Sequence, residues 1–514
     1  MLQPLASTSP IAYKSSSKSS PCPTKGWNAR DNIGELGADE AILLDNWFPE
    51  EDAVYLRRGY ESYGTGMSGA VETLMAWSFG ASQKMFAANG EYIYDVSSAG
   101  DVSTADVSSL TNARWQYVNF GTTGGNFLVC VNGDDDPLNY NGTAWSTSPA
   151  ITGVTGANLN HVNAFKNRLF FIEKNSLSAW YLGNRAIGGS ASELDFSSLC
   201  TLGGYLVAMG TWTRDGGSGI DDLAVWVTSK GEVIIYQGTD PSSASTWALV
   251  GVFRIGAPIG RRCMFKIGSE LVLITQDGFV PIGTALADAR TQSAASFSDR
   301  IRGAVQTATR SYGSNFGWQA ILYPKSQMGI FNVPVSPNQT VHQYVANTTT
   351  GAWCRFTGMN ANCWELYNDD LYFGANGVVY KADMGTDDNG AAIVGEVKTA
   401  FDYMRQKSTQ KRFVMVRPLI TTSGSLPLSL GVNVDFSDNL ALSTPTITGA
   451  ANGSPWDTSA WDVSPWGIDG QVNKDWQCID GIGYSVSLRM KVSTKYLEVK
   501  WSGTDYIYET GGFV

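Results

Sequence analysis

Seven times along the chain, a short apolar run, a polar turn and a second apolar run follow one another. The units cover 84–95, 127–142, 168–181, 223–238, 271–282, 319–332 and 371–380. Their turns fall at Asn89-Gly90, Asn132-Gly133, Lys174-Asn175, Lys230-Gly231, Asp277-Gly278, Ser326-Gln327 and Asn376-Gly377. Asn-Gly and Asp-Gly between β runs mark tight hairpins, because both turn residues must take positive φ. Successive turns lie 42–56 residues apart, which leaves room for a four-stranded sheet each time. Repeats of about 40–50 residues with four strands each are the mark of a β-propeller, whose radial sheets leave only short edges. The pattern predicts an all-β chain with a β-propeller of six to eight blades, seven favoured, over 61–390. Two β-sandwiches in series are the competing architecture.

The period breaks once inside this region. In 298–310, Ile301, Ala304, Val305 and Ala308 have helical spacing, and Ser298 stands where an N-cap belongs. A helix there interrupts the blades, so it is expected to project from the disc toward the lumen as part of a gate. Beyond the turn-rich 384–390 the pattern changes. Alternating runs such as Ser485–Met490 and Tyr496–Trp501 predict a separate antiparallel β-sandwich over 391–514. Within it Trp456, Trp461 and Trp466 recur every five residues, a period that fits neither helix nor strand and reads as a loop. At the other end, 1–22 is Ser-rich and reads as a flexible arm. Residues 23–60 mix apolar positions with Gly, Pro, Asp and Asn, which predicts an extended strap. Its Trp27, Trp47 and Phe48 are surplus to the blades. With Arg57 and Arg58 they are expected at a docking interface, on the propeller's own flank or on a neighbour; the three loop tryptophans could stack on sugars or bases or anchor a subunit interface.

Charge narrows the choice of partners. The net charge is -11 and no basic block exists, whereas a protein that grips duplex DNA presents a basic face. An acidic wall can still surround DNA without holding it. The densest basic cluster, Arg405, Lys407, Lys411, Arg412 and Arg417, reads as a charged sheet edge or interface ahead of a DNA contact. Seven cysteines, an odd number without CxxC spacing, argue against a disulfide scaffold or zinc site. Only His161 and His342 could serve imidazole chemistry. No apolar run is long enough to span a membrane as a helix, and 1–22 lacks a secretory core. Synthesis in the cytoplasm is therefore expected.

Three stretches carry candidate chemistry. Asp134-Asp135-Asp136 could hold calcium but lacks EF-hand spacing, and a solvated turn is the simpler reading. The sialidase Asp-box, Ser-x-Asp-x-Gly-x-Thr-Trp, is not found: its nearest lookalike, Asp240-Pro-Ser-Ser-Ala-Ser-Thr246-Trp247, carries Ser242 where the Asp belongs. A glycosidase also needs two carboxylates placed across the sugar bond. Gly216-Gly217-Ser218-Gly219 is not followed by Lys-Ser or Lys-Thr, and Asp221-Asp222 would repel a phosphate. No catalytic, cofactor-binding or metal-ligating residue is expected from the sequence.

The strap also carries a family resemblance. Lys25-Gly26-Trp27-Asn28-Ala29-Arg30, Leu44-Asp45-Asn46-Trp47-Phe48-Pro49 and Leu56-Arg57-Arg58-Gly59-Tyr60 resemble the start of tail nozzle or tail-hub proteins of short-tailed bacteriophages. The likeness extends more loosely through the first hairpins and Asn167-Arg168-Leu169-Phe170-Phe171. It implies a non-enzymatic virion protein that forms a homohexameric ring. Such a ring would sit below a portal-side adaptor, carry fibres or spikes at its side, and let genomic DNA pass without specific binding. A receptor- or carbohydrate-binding propeller is the competing function, with a glycosidase or depolymerase behind it.

Overall fold

The computed structural model describes residues 15–215, 220–283, 297–439, 446–447, 471–472 and 475–510. Each predicted hairpin is present, and each extends into an antiparallel sheet. The sheets start from strands Val71–Phe79, Gln116–Thr122, Leu159–Phe165, Leu206–Asp215, Met264–Ile267, Gln319–Tyr323 and Cys363–Tyr367. Each of these first strands packs on the first strand of the next sheet, and Cys363–Tyr367 packs back on Val71–Phe79. The ring is closed, and the fold is a seven-bladed β-propeller. Aromatic and aliphatic side chains fill the wedges between blades. Phe170, Trp226 and Trp247 pack together with centroids 5.9–6.3 Å apart. Cys130, Cys263 and Cys363 are buried free thiols in this core and act as small apolar residues.

Closure uses a strand from far away in sequence. The third strand of blade seven, Val379–Met384, pairs antiparallel with Gly59–Thr65, which precedes blade one. Position 59 must be glycine, since a Cβ there would sit 1.7 Å from the Asp387 carbonyl oxygen. The propeller therefore comprises 58–349 and 355–390, beginning a few residues earlier than the sequence pattern suggests.

Two expectations about the propeller need correction. Ser326-Gln327 joins the first and second strands of blade six, Gln319–Tyr323 and Met328–Ser336, whereas the other six turns join second to third strands. The turn equivalent to the others precedes Thr340–Asn347. Sequence spacing cannot distinguish these two hairpins. The predicted helix exists, as a 3₁₀ turn Asp299–Ile301 followed by Arg302–Tyr312. It does not project toward the lumen. Its buried Val305 and Ala308 follow the apolar stripe, and the helix packs against Gly278–Pro281 of blade five and Met328–Ser336 of blade six. Ser298 makes no side-chain cap hydrogen bond to the helix; its Oγ accepts the Phe279 N–H at 3.3 Å.

The second unit is the β-sandwich, assembled from 1–57, 350–354 and 391–514. One of its antiparallel sheets contains Ala41–Asp45, Ile393–Thr399, Val486–Thr494 and Leu426–Val434. The other is centred on the long pair Lys411–Thr422 and Val499–Thr510. The strap and the described part of the arm are thus integral to this domain. Ser15–Pro21 pairs with Val499–Thr510 along its whole length, and Val54–Leu56 pairs with the same strand. The part of 1–22 that is described is a sheet strand and not a free arm.

This placement overturns most of the interface expectation. Trp47 is fully buried, its ring centroid 6.2 Å from that of Trp501. Trp27 and Phe48 are buried as well, and so is Arg57, whose Nε donates to Asn46 Oδ1 at 2.8 Å. These residues are interior because the alternating strands of 391–514 present apolar side chains to the strap: Trp47 packs on Trp501 and lies against Gly395. Arg58 is exposed. Trp456, Trp461 and Trp466 lie outside the described residues. Trp47→Ala should therefore cost about 3–5 kcal/mol of stability, read as a lower midpoint in chemical denaturation. An unchanged midpoint would contradict the interior placement.

Candidate functional site: the propeller axis

The inner strands enclose an axial cavity of about 410 Å³ that receives residues from all seven blades. Its walls are strand backbone and alternating side chains, so the polar groups that reach it come from short, separate sequence positions. Among the lining residues the charged ones are Arg261, Arg262, Lys266 and Glu365.

Arg262 closes the end at which the inner strands begin. It stands two residues before the first residue of the blade-five inner strand, Met264, and reaches across to blades one and two. Its Nη2 donates to the Glu72 carbonyl at 3.0 Å, the Thr73 hydroxyl at 2.7 Å and the Trp115 carbonyl at 3.4 Å. Its Nη1 donates to Gln319 Oε1 of blade six at 3.4 Å. The guanidinium also lies 5.4 Å from the Phe316 ring centroid, a cation–π distance. Arg261 adds a second tie, its Nη1 donating to the Asn132 carbonyl at 2.9 Å. Burial lowers the proton affinity of both guanidinium groups, though not enough to discharge them.

Deeper in the cavity, the Tyr117 hydroxyl of blade two donates to Glu365 Oε2 of blade seven. Burial pushes the Glu365 carboxyl up to about 7, against the opposing pull of Tyr117 and Arg262. Burial also raises the Tyr117 phenol well above its ordinary range, with Glu365 adding to the effect. His161 lines the wall of blade three. One ring nitrogen, Nε2, faces the Met209 carbonyl of blade four at 3.0 Å, so it is assigned the proton. Burial lowers this imidazole to about 4 and keeps it neutral at pH 7. The network ties blades together across the axis.

The chemistry this permits is limited. Glu365 is the single carboxylate among the lining residues, so the axis does not supply the carboxylate pair of a glycosidase. Among the described residues no group of His, Cys, Asp and Glu is placed to hold a metal. The Asp134–Asp136 stretch is a clamped turn: Asp135 accepts from Thr111 and Asn132, and Asp134 pairs with Lys174 at 3.0 Å. Asp240 starts another turn and pairs with Arg168 at 3.2 Å. The basic cluster is dispersed. Lys411 is buried on three carbonyls, Arg417 pairs with Asp505, and Lys407 lies over Tyr403. The glycines at 216–219 lie outside the described residues.

None of the axial residues was singled out as a site from the sequence. The available signal is a charged residue inside an otherwise apolar strand, as in Cys363-Trp364-Glu365-Leu366-Tyr367, or beside one, as in Arg261-Arg262-Cys263-Met264-Phe265.

Fold and axis together define a closed seven-bladed propeller joined to a β-sandwich, with a small polar axial cavity. No family model matches the chain, and no curated protein matches it. Among solved structures it is similar to YCF48 bound to D1 peptide, with 11% identity, a TM-score of 0.37, and coverage of 63% of this chain and 97% of that one. It is also similar to the Cps50 (Swd1) β-propeller domain of Myceliophteria thermophila, with 11% identity, a TM-score of 0.41, and coverage of 63% and 98%. A family 43 arabinoxylan arabinofuranohydrolase from Bacillus subtilis matches with 8% identity, a TM-score of 0.27, and coverage of 90% and 94%. Likeness at these values carries no argument about activity.

The axial groups make a pH prediction. Folding raises Glu365 from 4.5 to about 7, so the native state holds this proton more tightly than the unfolded chain. The resulting contribution to stability is complete below pH 4.5 and is lost as pH rises through 7. His161 runs the other way: lowered from 6.5 to about 4, it contributes above pH 6.5 and loses that contribution as pH falls through 4. Comparing wild type with Glu365→Gln cancels the His161 part. From pH 5 to pH 8 the variant should gain up to about 3 kcal/mol relative to wild type, measured by urea denaturation at each pH. A difference that does not change with pH would contradict the buried carboxyl.

Proposed function

We propose that this protein is a structural component of the tail nozzle or hub of a short-tailed bacteriophage, acting as a non-enzymatic homohexameric ring that guides DNA exit. The observation that carries this reading is the strap motif. Its Leu44 and Trp47 are fully buried in the sandwich, and its Arg57 is pinned there by Asn46. The resemblance thus rests on residues with a structural task in this chain. The axial cavity is crossed by Arg262 and Tyr117 side chains, so the propeller acts as a wall. DNA would pass through the hole between copies, beside which the net charge of -11 repels phosphates. A portal-side adaptor and fibres or spikes are the partners this role requires, and the virion tail is its location.

The competing reading is a receptor- or carbohydrate-binding propeller, which the polar axial cavity favours. Two measurements decide between them. Light scattering behind size-exclusion chromatography should give about 330 kDa for the ring, six times the chain mass of 55.4 kDa. A monomer at every concentration would contradict the ring. On a glycan array the nozzle should retain no particular saccharide; specific retention would favour the receptor reading, and release of product from capsule or lipopolysaccharide would establish an enzyme.

A further inference from the structure

The lining of the axial cavity runs against the charge of the whole chain. Arg261, Arg262 and Lys266 face one carboxylate, Glu365, in a protein of net charge -11. The cations differ in how they are compensated. Arg261 lies in the field of Asp134. Arg262 lies in the fields of Glu72 and Glu365 but touches neither carboxylate: the Glu72 carboxylate is held by Arg114 at 3.1 Å, and every acceptor Arg262 meets is a neutral oxygen, from Glu72, Thr73, Trp115 and Gln319. It forms no ion pair among the described residues, and nothing there accepts from its Nε–H. A half-buried guanidinium that touches no carboxylate keeps its affinity for an anion, and its fork geometry suits a carboxylate or phosphate oxygen pair.

The nearby groups leave that demand unmet. Glu365 is engaged by the Tyr117 hydroxyl and sits in a setting that disfavours its charge. Lys266 makes no ion pair among the described residues. Its neighbour in charge, Asp222, is already held by Lys166 at 2.8 Å and by the Thr213 hydroxyl at 3.0 Å. The volume of about 410 Å³ falls in the range of small-molecule sites.

We infer that the axial cavity is a binding site for a small oxyanion, a molecule bearing a carboxylate or phosphate group, seated on Arg262 with Lys266 as the second cation. This site lies within the propeller and does not depend on the nozzle role.

The test is calorimetric titration of the full chain, at constant ionic strength, with inorganic phosphate in one arm and citrate in the other. Sodium chloride serves as the control. Saturable one-to-one binding is expected in at least one arm. Phosphate alone would assign the site to phosphoryl groups, citrate alone to carboxylates, and either result supports the site. Lys266→Glu, an exposed change, should weaken binding at least tenfold while leaving the thermal transition in chloride unaltered. Arg262→Gln should abolish binding, and if that variant fails to fold, Lys266→Glu decides. If neither anion binds more than chloride does, or if Lys266→Glu binds like wild type, the inference is overturned.

Discussion

The pairing of Gly59–Thr65 with Val379–Met384 is the interaction on which the rest of the structure depends. Seven sheets in a row have two open ends, and each end is an unpaired edge. Taking one strand of the last sheet from before the first sheet turns the row into a ring. The cost of joining residues so distant in sequence is entropic and grows only slowly with loop length. It is offset by a strand's worth of hydrogen bonds and by the contacts between Tyr60 and the rings of Phe373 and Tyr380, whose centroids lie 5.2 and 5.0 Å away. Tyr60 N–H also donates to the Asp387 carbonyl, and Asn389 N–H to the Tyr60 carbonyl, at 3.1 and 2.7 Å.

Closure has consequences for the chain on both sides. A chain that enters and leaves the propeller through one sheet has its leading and trailing segments available to the same neighbour in the fold. Here they build one domain, in which Ser15–Pro21 and Val54–Leu56 both pair with Val499–Thr510. Closure also sets the axis. Seven inner strands leave a space narrow enough for single side chains to bridge, and Arg262 and Tyr117 do so. The charge that Arg262 brings into this space is the feature that gives the axis a chemistry beyond packing.

The parts of the fold that were legible in sequence are those whose cause is local. The hairpin turns were readable because they need positive φ, and Gly90, Gly133, Asn175, Gly231, Gly278 and Gly377 all adopt it. The helix was readable from its apolar stripe, though not its packing, since the same stripe serves a helix wedged between blades and one that projects. The illegible parts are pairings across hundreds of residues. Ser15–Pro21 looks disordered by composition because its order comes from a partner strand near the other end of the chain. Trp47 looked spare because the surface that covers it, around Trp501, is equally remote. The axial site combines Tyr117, His161, Arg262 and Glu365 from four blades, and no sequence window contains two of them.

Hydrogen exchange on the intact chain tests ring closure most directly. If Gly59–Thr65 is a true strand of blade seven, its amides exchange as slowly as those of Val379–Met384, and the two segments become labile together in a single step as denaturant is added. Exchange of Gly59–Thr65 on the timescale of an unprotected loop, while Val379–Met384 remains protected, would contradict a closed seven-bladed ring.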